Sequence, residues 1–187
     1  VLKKYLKHID KKRLFAQLGN KPLEKTLIQF GITPDNAAVI QNEISSLLIS
    51  KYHKVLLVKN VKALAKIRIP KAIISHNVST LIKPTVKKRN IHFFREILGA
   101  DIAGNKEKQV KLLAKKYKIK TSEIIYIGDK TVDVKIANKL SCVSVAISQK
   151  ASWDSKTQLI NSHPDFLIRN LSSITSIIKK VNSGILV

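Results

Sequence analysis

The stretch Ile124-Ile125-Tyr126-Ile127-Gly128-Asp129-Lys130-Thr131-Val132-Asp133 decides the fold. Its first four residues are apolar and either β-branched or aromatic, which predicts a short buried strand. Gly128 allows a sharp turn where that strand ends, and Thr131 is placed to cap a following helix. The apolar residues after the turn recur at helical spacing, and they are Val132, Ile136, Ala137 and Leu140. A strand and a helix therefore follow each other directly.

Two aspartates flank this turn. Asp129 comes at the carboxyl end of the predicted strand, and Asp133 comes four residues later in the first turn of the helix. Open α/β sheets bind their ligands at the carboxyl ends of the strands, and two carboxylates leave room for the waters that Mg²⁺ keeps. The spacing predicts a magnesium site. The alternative is a solvated aspartate followed by a helix-favouring one, because so short a motif is weak on its own.

The composition is that of a globular protein in a reducing compartment. The 187 residues are 44% hydrophobic and 25% charged, enough for one domain or for a core with a small insert. Cys142 is the only cysteine, and no Cys/His zinc pattern is present. We therefore predict a cytoplasmic location. No apolar run reaches the length of a membrane span, so we expect no transmembrane segment.

The charge is strongly basic. There are 35 Lys and Arg residues against 12 Asp and Glu, a net charge of +23, and residues 44–95 contain no acid. Such a field attracts polyanions, among them RNA, anionic membranes and phosphorylated metabolites. Lys greatly outnumbers Arg, however, and aromatic residues make up only 5% of the chain, whereas RNA readers use Arg and stacking aromatics. RNA or another polyanion is a candidate partner on charge alone, and merely solvated lysines are the alternative.

The N-terminal part of the chain has the pattern of helices without a strand. Helix starts are predicted near Pro22 and at Thr33-Pro34-Asp35. The second of these begins a longer helix, for which the pattern places one set of apolar residues on the core face: Val39, Ile40, Ile44, Leu47 and Leu48. We assign residues 1–56 to a small helical subdomain.

Strands and helices alternate from residue 57 to the end. Strands are predicted at 72–75, 124–127, 142–147 and 166–168, and residues 96–100 fit either a strand or a loop. Among the helices between them, one is predicted to follow an Asn60 cap and another to cover about 106–117. This alternation predicts an α/β fold, with a parallel sheet covered by helices on both faces.

A hydroxyl and an ammonium group join the two carboxylates at predicted strand ends. Ser75 ends one strand, and Lys106 opens a helix directly after Gly104-Asn105. A hydroxyl and an amine can contact phosphate oxygens while carboxylates hold the metal. The alternative for Lys106 is an ordinary solvated lysine, because many lysines follow it on the same helix.

The order of these motifs resembles that of the haloacid dehalogenase superfamily, in its phosphoglycolate-phosphatase-like branch. The family's second motif, an apolar strand ending in Ser or Thr, matches Ala72-Ile73-Ile74-Ser75. Its third motif, a lysine that opens a helix, is similar to Lys106. Its fourth motif, G-D-x-x-x-D after an apolar strand, matches residues 128–133, and Gly19-Asn20-Lys21-Pro22-Leu23 looks like the start of the family's helical cap.

The resemblance implies both an architecture and an activity. The architecture is a three-layer, Rossmann-like parallel sheet core at 57–187, with a small helical cap at 1–56 inserted near the N-terminus. The activity is Mg²⁺-dependent hydrolysis of a small phosphomonoester. By their family counterparts, the phosphate-binding residues are Ser75, His76, Asn77 and Lys106, of which Ser75 and Lys106 are also catalytic. Asp129 is implied as a Mg²⁺ ligand and Asp133 as the second residue of the metal site.

One family motif has no counterpart here. The first motif, D-x-D-x-T after an apolar strand, supplies the nucleophile and the general acid/base, and the sequence contains no D-x-D. In the family it would fall just upstream of Val1, on the central strand of the sheet. We therefore expect residues upstream of Val1, which the lack of any Met also favours. The alternative is a catalytically inactive member of the fold that acts as a basic, RNA-associated or assembly component.

Overall fold

The computed structural model describes Tyr5 and residues 10–55 and 57–184. The chain forms two compact units, Val1–Val55 with Lys71–Gln109 and Leu56–Pro70 with Val110–Val187. Each unit contains a parallel sheet and helices. The predicted α/β class is therefore confirmed. Among the described residues, no helix is both long enough and apolar enough to cross a bilayer.

The first unit begins with helices. They are α1 (Lys11–Gln17), α2 (Leu23–Gln29) and α3 (Pro34–Ser50), followed by a 3₁₀ turn at Tyr52–Lys54. The start of α3 is as predicted, because the Thr33 hydroxyl accepts the Asn36 N–H at 3.4 Å. A buried cluster joins the three helices through Leu14, Leu27, Ala37 and Ile40. The assignment of residues 1–56 to a cap stays a prediction.

The predicted core face of α3 is partly wrong. Val39, Leu47 and Leu48 are each at least 40% exposed. The buried face is instead formed by Ile40 with the small or polar residues Ala37, Gln41 and Ser45. The Gln41 side chain donates to the Ser45 hydroxyl at 3.0 Å, and that hydroxyl donates to the Gln41 carbonyl at 2.8 Å. Because their polar atoms are paired, these two residues can be buried at little cost.

The sheet of the first unit has two strands. Its elements are β1 (Ala72–Ile74), α4 (Ser79–Lys88), β2 (Glu96–Leu98), α5 (Ala100–Ala103) and the start of α6 (Lys106–Tyr117). β1 and β2 are parallel, with Ile74 opposite Leu98. The segment 96–100 is therefore a strand that leads into a short helix, and α6 covers the predicted range.

The sheet of the second unit has three parallel strands. Its elements are β3 (Ile125–Gly128), α7 (Thr131–Lys139), β4 (Val143–Ile147), α8 (Lys156–Ile160), β5 (Phe166–Ile168) and α9 (Ile174–Asn182). The strand order is β3-β4-β5. Every residue of β4 is buried, as expected for the middle strand of a covered parallel sheet. Val134, Ala146 and Leu159 form a buried cluster, with Leu167 packed against it.

Two predicted helix caps are wrong. Asn60 lies in the left-handed region (φ 62°) before a 3₁₀ helix, Val61–Lys66, and its side chain does not cap that helix. Its amide instead donates to the Ser172 hydroxyl at 3.4 Å. At α7 the Thr131 side chain is not the cap either, because the Thr131 N–H donates to the Asp154 carboxylate at 2.7 Å.

Candidate active site

The loop after β1 holds three of the predicted phosphate-binding residues. The Ser75 N–H donates to the Leu98 carbonyl at 3.0 Å, which extends the pairing of β1 with β2 by one residue. The Ser75 hydroxyl accepts the Asn77 N–H at 3.0 Å, so the chain turns back on itself there. Ser75 and His76 are half-buried and Asn77 is exposed. These three residues thus lie together at the carboxyl end of a parallel strand.

The neighbouring turn after β2 holds this loop in place. A Cβ atom on Gly99 would lie 2.2 Å from the Ser79 nitrogen and 2.7 Å from the Asn77 carbonyl oxygen, so only glycine fits. The Asp101 carboxylate accepts both the N–H of Ser79 at 2.7 Å and its hydroxyl at 2.5 Å. Partial burial would raise the pKa of Asp101, but the hydrogen bonds from Ser79 and the charge of Lys83 outweigh it, and the pKa is lowered. Asp101 is therefore a charged anchor for the start of α4.

His76 connects the same loop to the helices at the start of the unit. Its Nδ1 atom lies 3.2 Å from the carbonyl oxygen of Gly19, in the turn between α1 and α2. A carbonyl can only accept, so Nδ1 is the protonated nitrogen in this contact. The turn containing Gly19 is the segment that resembles the start of the family's cap.

Lys106 is the first residue of α6 and is half-buried. The Asn105 carboxamide oxygen accepts the Lys108 N–H at 2.9 Å and thereby caps the helix. One turn along the helix, the buried side chain of Gln109 donates to the Ser75 carbonyl at 2.9 Å and accepts the Ser75 N–H at 3.0 Å. The helix turn that begins with Lys106 is therefore tied directly to Ser75.

In the second unit, β3 ends against Asp133. A Cβ atom on Gly128 would lie 2.3 Å from the Asp133 Cβ, so the strand end and the first turn of α7 touch. Asp133 is 2% exposed, and its carboxylate accepts the Tyr126 hydroxyl at 3.0 Å. Burial and the nearby Asp133 charge raise the pKa of Tyr126, which keeps its hydroxyl protonated as a donor. Asp133 is thus a buried carboxylate of α7 that is fixed by a side chain of the preceding strand, β3.

Asp129 interlocks with the loop after β4. Its carboxylate accepts the backbone N–H of Trp153 at 3.1 Å, and its carbonyl accepts the backbone N–H of Asp154 at 3.3 Å. Asp154 in turn accepts the Thr131 N–H. The loops that follow β3 and β4 therefore fasten each other through two aspartates.

Trp153 covers a buried lysine beside this interlock. The Lys130 side chain is only 6% exposed, and its Nζ lies 4.7 Å from the centroid of the indole, a cation–π contact. Trp153 itself is 63% exposed. Trp153 is the one tryptophan of the chain, and it lies in a lysine-rich sequence. This was the only feature of the sequence that could have indicated its contact with a lysine.

The residues present fit a magnesium ion in part. Among the residues that the structure describes, no group of three His, Cys, Asp or Glu side chains could hold a metal. Mg²⁺, however, is commonly held by only one or two carboxylates with waters and substrate phosphates. Asp129 offers a hard oxygen donor of that kind at the carboxyl end of β3. Asp133 is buried and already hydrogen-bonded to Tyr126, which suits a supporting role better than direct ligation.

The sequence predicted six candidate site residues and gave no sign of four others that contact the same segments. Ser75, His76, Asn77 and Lys106 lie in the first unit, and Asp129 and Asp133 lie in the second. Their roles in phosphate and metal binding stay predictions. The missed residues are Asp101, Gln109, Trp153 and Asp154, each of which acts on a segment distant in sequence.

A comparison with models of protein families shows to which family the chain belongs. The sequence model of the haloacid dehalogenase-like hydrolases matches residues 1–147. The chain belongs to this family. The resemblance inferred from the motifs is therefore confirmed. A search of curated proteins finds no match to the chain.

Solved structures share the fold. A haloacid dehalogenase-like hydrolase from Streptococcus pneumoniae has a TM-score of 0.73 at 17% identity, covering 95% of this chain and 86% of that one. A predicted phosphatase from Clostridium acetobutylicum has a TM-score of 0.72 at 19% identity, covering 97% and 87%. A predicted phosphoglycolate phosphatase from Haemophilus somnus has a TM-score of 0.73 at 17% identity, covering 95% and 86%. At these identities the likeness shows the fold.

Proposed function

We propose that this protein is a Mg²⁺-dependent phosphohydrolase that acts on a small phosphomonoester. Membership of a hydrolase family supports the reaction class. Similar structures described as a predicted phosphatase and a predicted phosphoglycolate phosphatase support a phosphorylated substrate. The observation that carries the proposal is the end of β3, where Asp133 is buried against Gly128 and Asp129 follows the strand directly.

The residues of the first unit would bind the phosphoryl group. The Ser75 hydroxyl and the backbone of residues 76–77 form a tight loop at a strand end, and phosphate oxygens accept hydrogen bonds from such groups. The Lys106 ammonium would offset the negative charge of the phosphoryl group during transfer. This charge is costly in a site that excludes water, so a fixed positive charge beside it would stabilise the transition state. Asp101 and Gly99 hold the loop in advance, so binding would require little rearrangement.

The aspartates of the second unit would serve the metal. We propose that Asp129 is a direct Mg²⁺ ligand and that the buried Asp133 supports the metal site without binding the ion directly. A bound Mg²⁺ would supply charge neutralisation for the phosphoryl oxygens. The backbone N–H of Trp153 orients the Asp129 carboxylate, and the Tyr126 hydroxyl orients that of Asp133.

The nucleophile is proposed to lie upstream of Val1, because the 187 residues contain no D-x-D. An aspartate oxygen there would bond to phosphorus while the bond to the leaving alcohol oxygen breaks, and the second aspartate would protonate that oxygen. Water would then hydrolyse the phosphoaspartate, releasing inorganic phosphate and restoring the carboxylate. No residue of the described segments is assigned to this step.

The single cysteine of the chain, Cys142, is buried and free, which supports our proposal of a reducing, cytoplasmic compartment. The alternative of a non-catalytic, RNA-associated component gains no support from the fold or from the comparisons. We do not propose it.

The proposal is tested by the hydrolysis of p-nitrophenyl phosphate by the native, untrimmed protein. We expect Mg²⁺-dependent turnover, and we expect Ser75→Ala and Lys106→Ala to lower kcat by about 10²-fold or more, as losses of charge-stabilising donors do. Ser122→Ala and Lys108→Ala are matched controls, because both residues are exposed and Lys108 lies on the same helix as Lys106.

The controls decide between a specific site and the general basic charge of the chain. If Lys108→Ala reduced activity as much as Lys106→Ala, the assignment of Lys106 would be wrong. Absence of turnover at every Mg²⁺ concentration, in a preparation shown by intact mass to carry an upstream D-x-D, would overturn the proposed function.

A further inference from the structure

Gln109 is the one completely buried amide side chain among the described residues, and it pairs with the backbone N–H and C=O of a single residue. It is 0% exposed. Its Oε1 accepts the Ser75 N–H at 3.0 Å, and its Nε2 donates to the Ser75 carbonyl at 2.9 Å. Ser75 offers one donor and one acceptor, so this pairing also fixes which end of the amide is oxygen.

The pairing joins two candidate site residues through one helical turn. Gln109 follows Lys106 by three residues, a rise of about 4.5 Å along α6, and residues at this spacing are neighbours on the same side of a helix. The two hydrogen bonds fix the start of α6 against the end of β1. The position of the Lys106 backbone relative to Ser75 therefore depends on this one side chain.

The two hydrogen bonds between Gln109 and Ser75 differ in how far other groups could replace them. Its N–H also donates to the Leu98 carbonyl, so the ladder of the sheet would hold that group without Gln109. The Ser75 carbonyl, by contrast, receives its hydrogen bond from the Gln109 amide. Loss of the amide would leave this carbonyl to turn toward another donor. The peptide group that joins Ser75 to His76 would turn with it, which would disturb the loop in which the Asn77 N–H donates to the Ser75 hydroxyl.

We propose that Gln109 is a positioning residue, which sets the Ser75 hydroxyl and the Lys106 ammonium in register for phosphoryl transfer. This inference rests on the proposed function. Gln109 does not touch the phosphoryl group; it acts through the two residues that would. A misplacement of about 1 Å at a reacting centre can lower a rate by about 10²-fold, so the clamp is expected to affect kcat more than KM.

The test compares two buried glutamines of the same unit in the native protein. Gln109→Leu removes the clamp, and Gln41→Leu removes a buried amide from α3, where its partner is Ser45. Both variants lose a buried hydrogen bond, so both are expected to lower the unfolding temperature. Only Gln109→Leu is expected to lower kcat on p-nitrophenyl phosphate, by about 10- to 100-fold.

A second variant remains informative if Gln109→Leu does not fold. In Gln109→Glu, the introduced carboxyl can accept from the Ser75 N–H at any pH, but it can donate to the Ser75 carbonyl only when protonated. Burial favours the protonated form. We therefore expect the activity of Gln109→Glu, divided by that of the wild type at the same pH, to be highest near pH 5 and to fall as the pH rises to 8.

The outcomes separate this inference from the function on which it rests. A wild-type protein without phosphatase activity would overturn both. An active wild type in which Gln109→Leu and Gln41→Leu have the same kcat, or in which the Gln109→Glu ratio does not change with pH, would overturn the positioning role alone. A kcat loss confined to Gln109→Leu, with a ratio for Gln109→Glu that falls as the pH rises, would establish it.

Discussion

The Tyr126 hydroxyl donates a 3.0 Å hydrogen bond to the Asp133 carboxylate, and both side chains are at most 5% exposed. A buried carboxylate is costly unless donors surround it. Tyr126 lies within β3 and Asp133 lies in the first turn of α7, so this bond fixes the geometry of the turn that contains Asp129. The stability of the strand and the placement of the candidate metal ligand are therefore linked.

Removal of the Tyr126 hydroxyl tests this link. We expect Tyr126→Phe to lower the free energy of unfolding by about 1–3 kcal/mol, the usual cost of leaving a buried acceptor without its donor. Urea denaturation measures the change. Tyr52→Phe is the control, because the Tyr52 ring is half-buried beside Lys88 and is expected to keep its packing. An equal loss of unfolding free energy in the two variants would mean that the hydrogen bond to Asp133 does not stabilise the fold.

Gly99 is expected to be more sensitive to substitution than Gly31. A Cβ atom on Gly99 would overlap the backbone nitrogen of Ser79, which cannot move without shifting the loop after β1. We expect Gly99→Ala to lower the unfolding free energy by more than about 2 kcal/mol. Gly31 has a φ of +84° with open space around it, so Gly31→Ala should cost only the left-handed strain of about 1–2 kcal/mol. Thermal unfolding that ranked Gly31→Ala as the worse variant would contradict the close packing of this turn.

Mg²⁺ binding is expected to change the fluorescence of Trp153. Its backbone N–H donates to the Asp129 carboxylate and its ring lies against Lys130, the residue after Asp129, so we expect ligation of Asp129 to alter the surroundings of the indole. We expect a saturable change in emission with Mg²⁺ that Asp129→Asn abolishes. Asp35→Asn serves as the control, since Asp35 is exposed at the start of α3. The same Mg²⁺ midpoint in Asp129→Asn as in the wild type would exclude Asp129 as a ligand.

The Cys142 thiol is expected to react slowly. Burial raises its pKa from the ordinary value of 9.0 to about 11. At pH 9 we expect its reaction with Ellman's reagent to be more than about tenfold slower in the folded protein than in guanidinium, because the thiolate is the reactive form. The raised pKa also means that its contribution to stability is complete below pH 9 and is lost as the pH rises through about 11. Equal rates in the folded and unfolded protein would show that the thiol is accessible.

The pattern of apolar residues within each segment was enough to predict the strands and helices that contain the candidate site residues. The strand and helix on either side of Gly128 follow from residues adjacent in sequence, and so does α6 from Lys106 to Tyr117. The core face of α3 did not follow, because the pairing of Gln41 with Ser45 allows polar residues to replace Leu47 and Leu48 in the interior. Periodicity alone does not show which polar residues will be paired.

The contacts that organise the candidate site were out of reach for the same reason. Asp154 caps a helix that begins 23 residues earlier, and Gln109 binds the backbone of a residue 34 positions earlier. Neither residue stands out in its own segment. Such pairs become visible only when the fold brings distant segments together.

We propose that Ser75 and Lys106 bind the phosphate and that Asp129 binds Mg²⁺. Isothermal titration of Mg²⁺ into the native protein, with and without saturating inorganic phosphate and corrected for magnesium phosphate in solution, tests it most directly. Coupling between two ligands is reciprocal, so if phosphate strengthens Mg²⁺ binding, Mg²⁺ strengthens phosphate binding by the same factor. We expect phosphate to tighten Mg²⁺ binding at least about fivefold, the lower end of typical couplings, and we expect Ser75→Ala to remove this effect. Equal Mg²⁺ affinity with and without phosphate would contradict the claim.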